Sequence, residues 1–329
     1  MLPWMHHKAP AFIKPEIVVP VTSCIGLRGY FVVELIHART GLIKRRLEFP
    51  NVITNAGLNG IGNVNSVSNL IQWCGVGTDN TPPDVSDTAL GSQLGNRTNS
   101  NGGISDDLVS GPDFDYWEFI RVREFAENEA NGNLTEVGFF SASSGGVMYT
   151  RQLFLDSEGS PTTIVKTTDD RLRITYKHRA YPNKTANVQN INVNGVPTTV
   201  TSRIQELDSP DHAGGLAWNI GSWGSGARAV ETNILPDVND ALGGNTAGVS
   251  SGSYAAYSSN SFFREYTGVW NPSVANFATG VGGIENWHIT SFGVNPRMCQ
   301  ATVFDPKIPK DNTRRLTFVV RHQWARATI

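Results

Sequence analysis

Residues 114–141 read FDYWEFIRVREFAENEANGNLTEVGFFS. Phe114, Tyr116, Glu118, Ile120 and Val122 alternate with Trp117, Phe119, Arg121 and Arg123. That two-residue period is the mark of a strand with two different faces. Asn131-Gly132-Asn133 turns the chain, and LTEVGFFS reads as a second strand. The same signal continues outward. VMYTRQLFL (147–155), RLRITYKHRAY (171–181) and SFFREYTGVW (261–270) are strand-like, and YFVVELIHARTGLIKRRLEF (30–49) reads as a hairpin about Ala38–Gly41. Asn194-Gly195, between alternating apolar residues, is the strongest hairpin signal in the chain.

Composition agrees. Of 329 residues, 39% are hydrophobic and only 17% charged, with Gly, Asn, Ser and Thr making up the difference. Turn-rich β structure follows from such a balance. The expected fold is mainly all-β: antiparallel β-sandwich or jelly-roll-like modules, one or two short helices, and an extended N-terminal arm. The helical candidates are a segment capped by Asn55 with Leu58 and Ile61 inward, and Ser86–Leu94 with Asp87 as its cap. Residues 1–20 hold four prolines, so 1–25 are expected as an arm lying on another surface. A first module spans 26–182 and a second 183–329. The second carries a long Gly/Ser-rich excursion at 208–260, a duplicated or intertwined arrangement being open at this level. The duplication rests on an echo: Arg171-Leu172…His178 returns as Arg315-Leu316…His322.

Net charge is −2, which supplies no general field for nucleic acid. No apolar run is long enough for a membrane span, and the first twenty residues lack the layout of a secretion signal. Cys24, Cys74 and Cys299 show no CxxC spacing, so free thiols are expected, with a Cys24–Cys74 bridge left open. His6-His7 has no third ligand nearby and reads as polar surface.

The stretch CGVGTDNTPPDVSDTALGSQLG (74–95) has the look of a phosphate or calcium loop. A phosphate cradle needs backbone N–H groups, which Pro82-Pro83 remove, and the acids Asp79, Asp84 and Asp87 miss calcium-loop spacing. Ser/Gly runs at 221–226 and 250–253, beside Asp211-His212, are weak candidates for a nucleophile and base. Glu127, Glu129 and Glu136 could be paired carboxylates but read better as a solvated sheet face. No catalytic residue, metal site or cofactor is expected. Trp218, Trp223 and Trp270, flanked by Asn and Asp, form a candidate glycan-stacking platform, with loop anchoring the favoured reading. Alternation places many residues of the basic runs Lys44–Arg46, Arg171–Arg179 and Arg314–Arg321 on one sheet face, where they read as edge protection or a solvated face, an acidic subunit surface being the alternative.

Four separated motifs keep a common order: NVITNAGL (51–58), CGVGTDNTPPDVSDTAL (74–90), FAENEANGNLTEVGF (125–139) and MYTR (148–151). Together they resemble a module of tailed-bacteriophage virion proteins labelled tail fibre, neck or collar, or minor structural. The resemblance covers about 51–181 and implies a β-sandwich that works by self-association. It carries over no catalytic residue. It implies a virion component assembled in the bacterial cytoplasm, partnered by portal, neck, tail or capsid subunits and by its own copies. Alternatives are a receptor- or glycan-binding tail fibre, a capsid decoration or head-fibre protein, or a depolymerase.

Overall fold

The computed structural model describes residues 16–64, 67–104, 107–109, 116–193, 195–207, 218–220, 227–237, 240–291 and 297–327. It is mainly β. The first part of the chain contributes β1 (Glu16–His37), β2 (Ile43–Pro50), β3 (Val52–Ile53), helices α1 (Asn55–Val64) and α2 (Val67–Leu70), then β4 (Trp73–Gly77), β5 (Asp107–Val109) and β6 (Trp117–Phe125). It continues through β7 (Gly132–Leu134), β8 (Glu136–Phe140), β9 (Met148–Leu153), β10 (Ile164–Lys166) and β11 (Asp170–Pro182). The second part adds β12 (Asn187–Val193), β13 (Val196–Leu207), β14 (Trp218–Ile220), β15 (Ala227–Val230), β16 (Thr246–Gly248) and β17 (Ser251–Tyr254). It ends with β18 (Phe263–Trp270), β19 (Val281–Ser291), β20 (Arg297–Ile308) and β21 (Arg315–Arg326).

One large sheet, in the order β17-β18-β21-β1-β11-β6-β5 with β2 also on β1, runs across both parts. Two smaller sheets cover it: β3-β9-β8-β4 over the first part and β12-β13-β20-β19-β15-β16 over the second. Each small sheet encloses its own apolar cluster against the large one. Phe31, Phe49, Phe139, Tyr149, Tyr176 and Ile174 centre the first, and Trp270, Phe304, Phe318, Val200 and Ile284 the second. The result is two sandwiches sharing a sheet.

The two parts repeat one topology. β3-β9-β8-β4 faces β11-β6-β5, and β13-β20-β19-β15 faces β21-β18-β17. The chain visits the two sets in the same order, and every neighbouring pair within them is antiparallel. Thus the echoed segments 171–178 and 315–322 occupy corresponding strands, β11 and β21. Both lie beside β1, but β11 is antiparallel to it and β21 parallel. That parallel ladder departs from the antiparallel fold expected.

β1 explains how. Its odd-numbered positions are buried from Ile17 to Leu35. Ile17, Val19 and Val21 enter the second cluster, while Ile25, Leu27, Phe31, Val33 and Leu35 enter the first. Residues 16–25, expected as the end of an arm, are therefore a strand of the large sheet, bound to the same chain. Pro20 is tolerated because Glu16–Cys24 pair with β21 on one side, whereas pairing with β11 begins only at Ile25. Its carbonyl on the open side accepts Gln189 Nε2 at 2.8 Å.

Two local expectations shift. The helix at 55 forms with Leu58 and Ile61 buried, but its cap is Thr54, whose Oγ1 accepts Gly57 N at 2.9 Å. Ser86–Leu94 is not a helix; Asp87 instead closes a turn, its Oδ2 accepting Asp84 N at 2.9 Å. The hairpin at 38–41 forms, and β12 pairs antiparallel with β13 on either side of the second signal, with Gly41 and Gly195 at positive φ. Among the described residues no helix is long and apolar enough to cross a membrane.

Candidate functional site

The chain leaves β4 at Gly77 and returns through the pairings of Gln93 with Gly77 and Thr98 with Cys74. Arg151 on β9 pins the loop between. Its Nε donates to Glu136 Oε2 at 2.8 Å, one terminal nitrogen to Asp87 Oδ2 at 2.7 Å, and the other to Asp79 Oδ2 at 3.2 Å and Thr81 O at 3.0 Å. Burial opposes the arginine's charge, but its bonds to Asp87 and Glu136 outweigh this and hold its pKa above the ordinary value. Glu136 was expected on a solvated face and is instead fully buried. It also accepts Gly91 N at 3.1 Å and Ser92 N at 2.9 Å, so a buried carboxylate is matched by a cation and two amides. Asp79 is held below the usual carboxylate range, first by the Thr81 hydroxyl, then by the Thr81 amide and by Arg151.

The glycines of this stretch serve close approach. A Cβ on Gly77 would sit 2.3 Å from Glu136 Oε1, and one on Gly91 2.1 Å from Asp79 Oδ2. Asn51 Nδ2 donates to Thr150 Oγ1, and Thr54 Oγ1 donates to Met148 O at 2.6 Å. The four motifs that carry the phage resemblance therefore meet around β9. Their polar groups engage one another, and they clamp a loop to a sheet.

A second centre does the same work in the second part. Glu285 on β19 is fully buried, accepts Arg228 Nε at 2.5 Å, and accepts Leu242 N from the loop after β15. That loop reads Pro236-Asp237-Val238-Asn239-Asp240-Ala241-Leu242-Gly243, against Pro83-Asp84-Val85-Ser86-Asp87-Thr88-Ala89-Leu90-Gly91 in the first. Asp240 N donates to Asp237 O at 3.0 Å, as Asp87 N does to Asp84 O at 3.1 Å. Leu90 and Leu242 are both buried. Sequence reading missed this recurrence; aligning the two stretches with one gap would have found it.

A third repeated device follows β6 and β18. Lys166 Nζ donates to Ala126 O at 2.8 Å, Glu127 O at 3.2 Å and Asn131 Oδ1 at 2.8 Å. Lys310 Nζ reaches Asn271 O at 3.0 Å, Val274 O and Asn276 Oδ1 at 2.9 Å. Ala130 and Ala275, one residue before each asparagine, both take positive φ, 49° and 59°. Burial lowers the pKa of both lysines.

The basic strand positions face outward but are matched by acids. Arg171 and Arg173 each bond Glu124 at 3.0 Å, Lys177 meets Glu48 at 3.3 Å, and Arg179 meets Glu118 at 2.5 Å. Arg315 pairs with Glu16 and Arg321 with Glu265. Neighbouring strands of the same chain thus supply acids to this outward basic face.

Trp270 is wholly inside the second core, with Nε1 donating to Ala247 O at 3.0 Å, so it offers no face for a sugar. Trp218 is described by its backbone alone, in β14 beside β19. Trp223, His6, His7, Asp211, His212 and the serines at 222 and 225 lie outside the described residues. Cys24 is exposed and Cys74 buried, both free, which excludes the bridge left open above. Glu127 and Glu129 sit on the lysine-capped turn, where Glu129 Oε2 accepts Ala126 N at 2.8 Å. Among the described residues no group of three His, Cys, Asp or Glu is placed to hold a metal.

No protein-family model, curated protein or solved structure matches this chain.

Proposed function

We propose that the chain is a non-enzymatic structural component of a tailed-phage virion, a neck, collar or tail-appendage protein that acts by docking and self-association. The observation that supports this is the convergence of all four resemblance motifs on the Arg151 clamp. Residue types that elsewhere carry chemistry, three carboxylates and an arginine, are here engaged in fixing a long loop to a sheet. A scaffold read this way offers rigid surfaces to other virion subunits and to its own copies. The glycan-binding alternative now rests on Trp218 and Trp223, since Trp270 is core. Gold-labelled antibody and electron microscopy of purified particles test the proposal. Label at one site on the particle is expected; label confined to free protein in the lysate overturns it.

A further inference from the structure

Each strand of the two facing sets, β3-β9-β8-β4 and β11-β6-β5, has a counterpart in the second sandwich; the β7–β10 pair has none, and neither does β1. The place beside β21 that matches the place of β1 beside β11 is filled from outside the second part, by the first half of β1. Ile17, Val19 and Val21 fill the second core there, and none of them belongs to the first. The second sandwich is thus an acceptor that lacks one strand. The donor strand is anchored in the other sandwich, through Ile25–His37 on β11.

From this arrangement we infer that β21 accepts residues 16–25 of a second copy of the chain, so that copies join by exchanging this strand. Only the short segment 183–186 links β11 to β12. The remaining contacts between the two parts include Ile204 and Trp324, which are buried in the first apolar cluster, and a set of hydrogen bonds. Trp324 Nε1 donates to Leu58 O at 2.9 Å, Arg326 Nε to Ile53 O at 2.6 Å, and Tyr257 Oη to Asn59 Oδ1 at 2.7 Å. Each of these, like the β1–β21 ladder, can be formed identically between two copies. Exchange of an identical element costs little, because the contacts made in the assembly are those made in the single chain. A short connection between the exchanging parts favours it further. The inference extends the self-association proposed above and adds how the copies join.

Disulfide trapping in the full chain tests it. Thr22 and Arg321 are register partners on the outward face of the parallel ladder. A Cys24→Ser, Cys299→Ser background leaves only buried Cys74. In that background, Thr22→Cys and Arg321→Cys are made singly, with different tags, and co-expressed. Oxidation is expected to give a covalent dimer carrying both tags, while either variant alone gives none. Pro20→Cys with Val319→Cys, also register partners, repeats the test if the first pair fails to fold. The opposite result is a double variant that closes its disulfide within one chain, and co-expressed single variants that never cross-link. Strand exchange is then wrong. Light scattering of the unaltered protein separates the two proposals: an oligomer without cross-links removes exchange alone, and a monomer removes self-association as well.

Discussion

Lys166 and Lys310 close the same loop in two places. Each is buried, Lys166 at the end of β10 and Lys310 just after β20, and each points its ammonium at backbone carbonyls and an asparagine side chain of the turn that follows β6 or β18. Replacing either by Met removes the donors and leaves buried acceptors unpaired. A loss of about 2–4 kcal/mol is expected for each in urea denaturation. The effects should stay local. With Lys166→Met, amide exchange should quicken at 126–131 and stay slow at 271–276; uniform quickening in both turns would mean the two sandwiches do not hold their loops independently.

Arg151 is the next point of stress. Arg151→Met leaves Glu136 buried without its cation, and a loss of about 3–5 kcal/mol is expected. Arg151→Lys should recover little, since one ammonium cannot reproduce the fork that reaches three carboxylates. Adding Glu136→Gln to Arg151→Met should restore part of the loss, because the uncompensated charge is then gone. Denaturation midpoints of the two single variants and the double variant check the coupling. Strict additivity would mean the pair is not a unit.

Gly77 and Gly75 make a matched comparison. A Cβ on Gly77 would meet Glu136 Oε1 at 2.3 Å and Ser92 O at 2.5 Å, one of them backbone. A Cβ on Gly75 would meet only side-chain atoms, of Phe140, Arg97 and Leu90, at 3.2–3.3 Å. Gly77→Ala is expected to cost about 3 kcal/mol and Gly75→Ala under about 1. Limited proteolysis should cut the 78–92 loop faster in the first variant only.

The strands of this fold are legible in the sequence because each has one inward face. The alternation in β6 and β11 is visible without any structure. The echo of Arg171…His178 in Arg315…His322 is legible too, and the strands it marks do correspond. What could not be read is the partner of β1, since nothing in a strand's own pattern says which distant strand lies beside it, or in which direction. Pro20 made 16–25 look unfit for a sheet, but an open edge removes the objection. The buried state of Glu136 was hidden for a similar reason. A carboxylate enters a core when its partners are Arg151 and two loop amides, and all three lie elsewhere in the chain. The recurrence at 236–243 was obscured by one missing residue and by its setting in a Gly- and Asn-rich stretch.

His178 sets the acid behaviour of the first sandwich. Its ring is fully buried between Tyr149 and Tyr176, Nδ1 lies 3.4 Å from Tyr149 Oη, and Nε2 has no partner. Burial lowers its pKa to about 3, against about 6.5 in an unfolded chain. Between these values the unfolded state binds a proton that the folded state does not. Stability tied to this residue is therefore intact above pH 6.5 and falls as the pH drops toward 3. The slope approaches about 1.4 kcal/mol per pH unit, or roughly 2 kcal/mol by pH 5. His178→Gln removes the titration. The variant starts from a lower stability at pH 7, since the site is shaped for a ring, but its melting temperature should change less between pH 7 and pH 5 than that of the parent. Carboxylates contribute equally to both proteins over this range, so the difference in slope isolates the histidine. Parallel melting curves across that interval would mean the ring takes up its proton in the folded state, and that the core opens there to admit water.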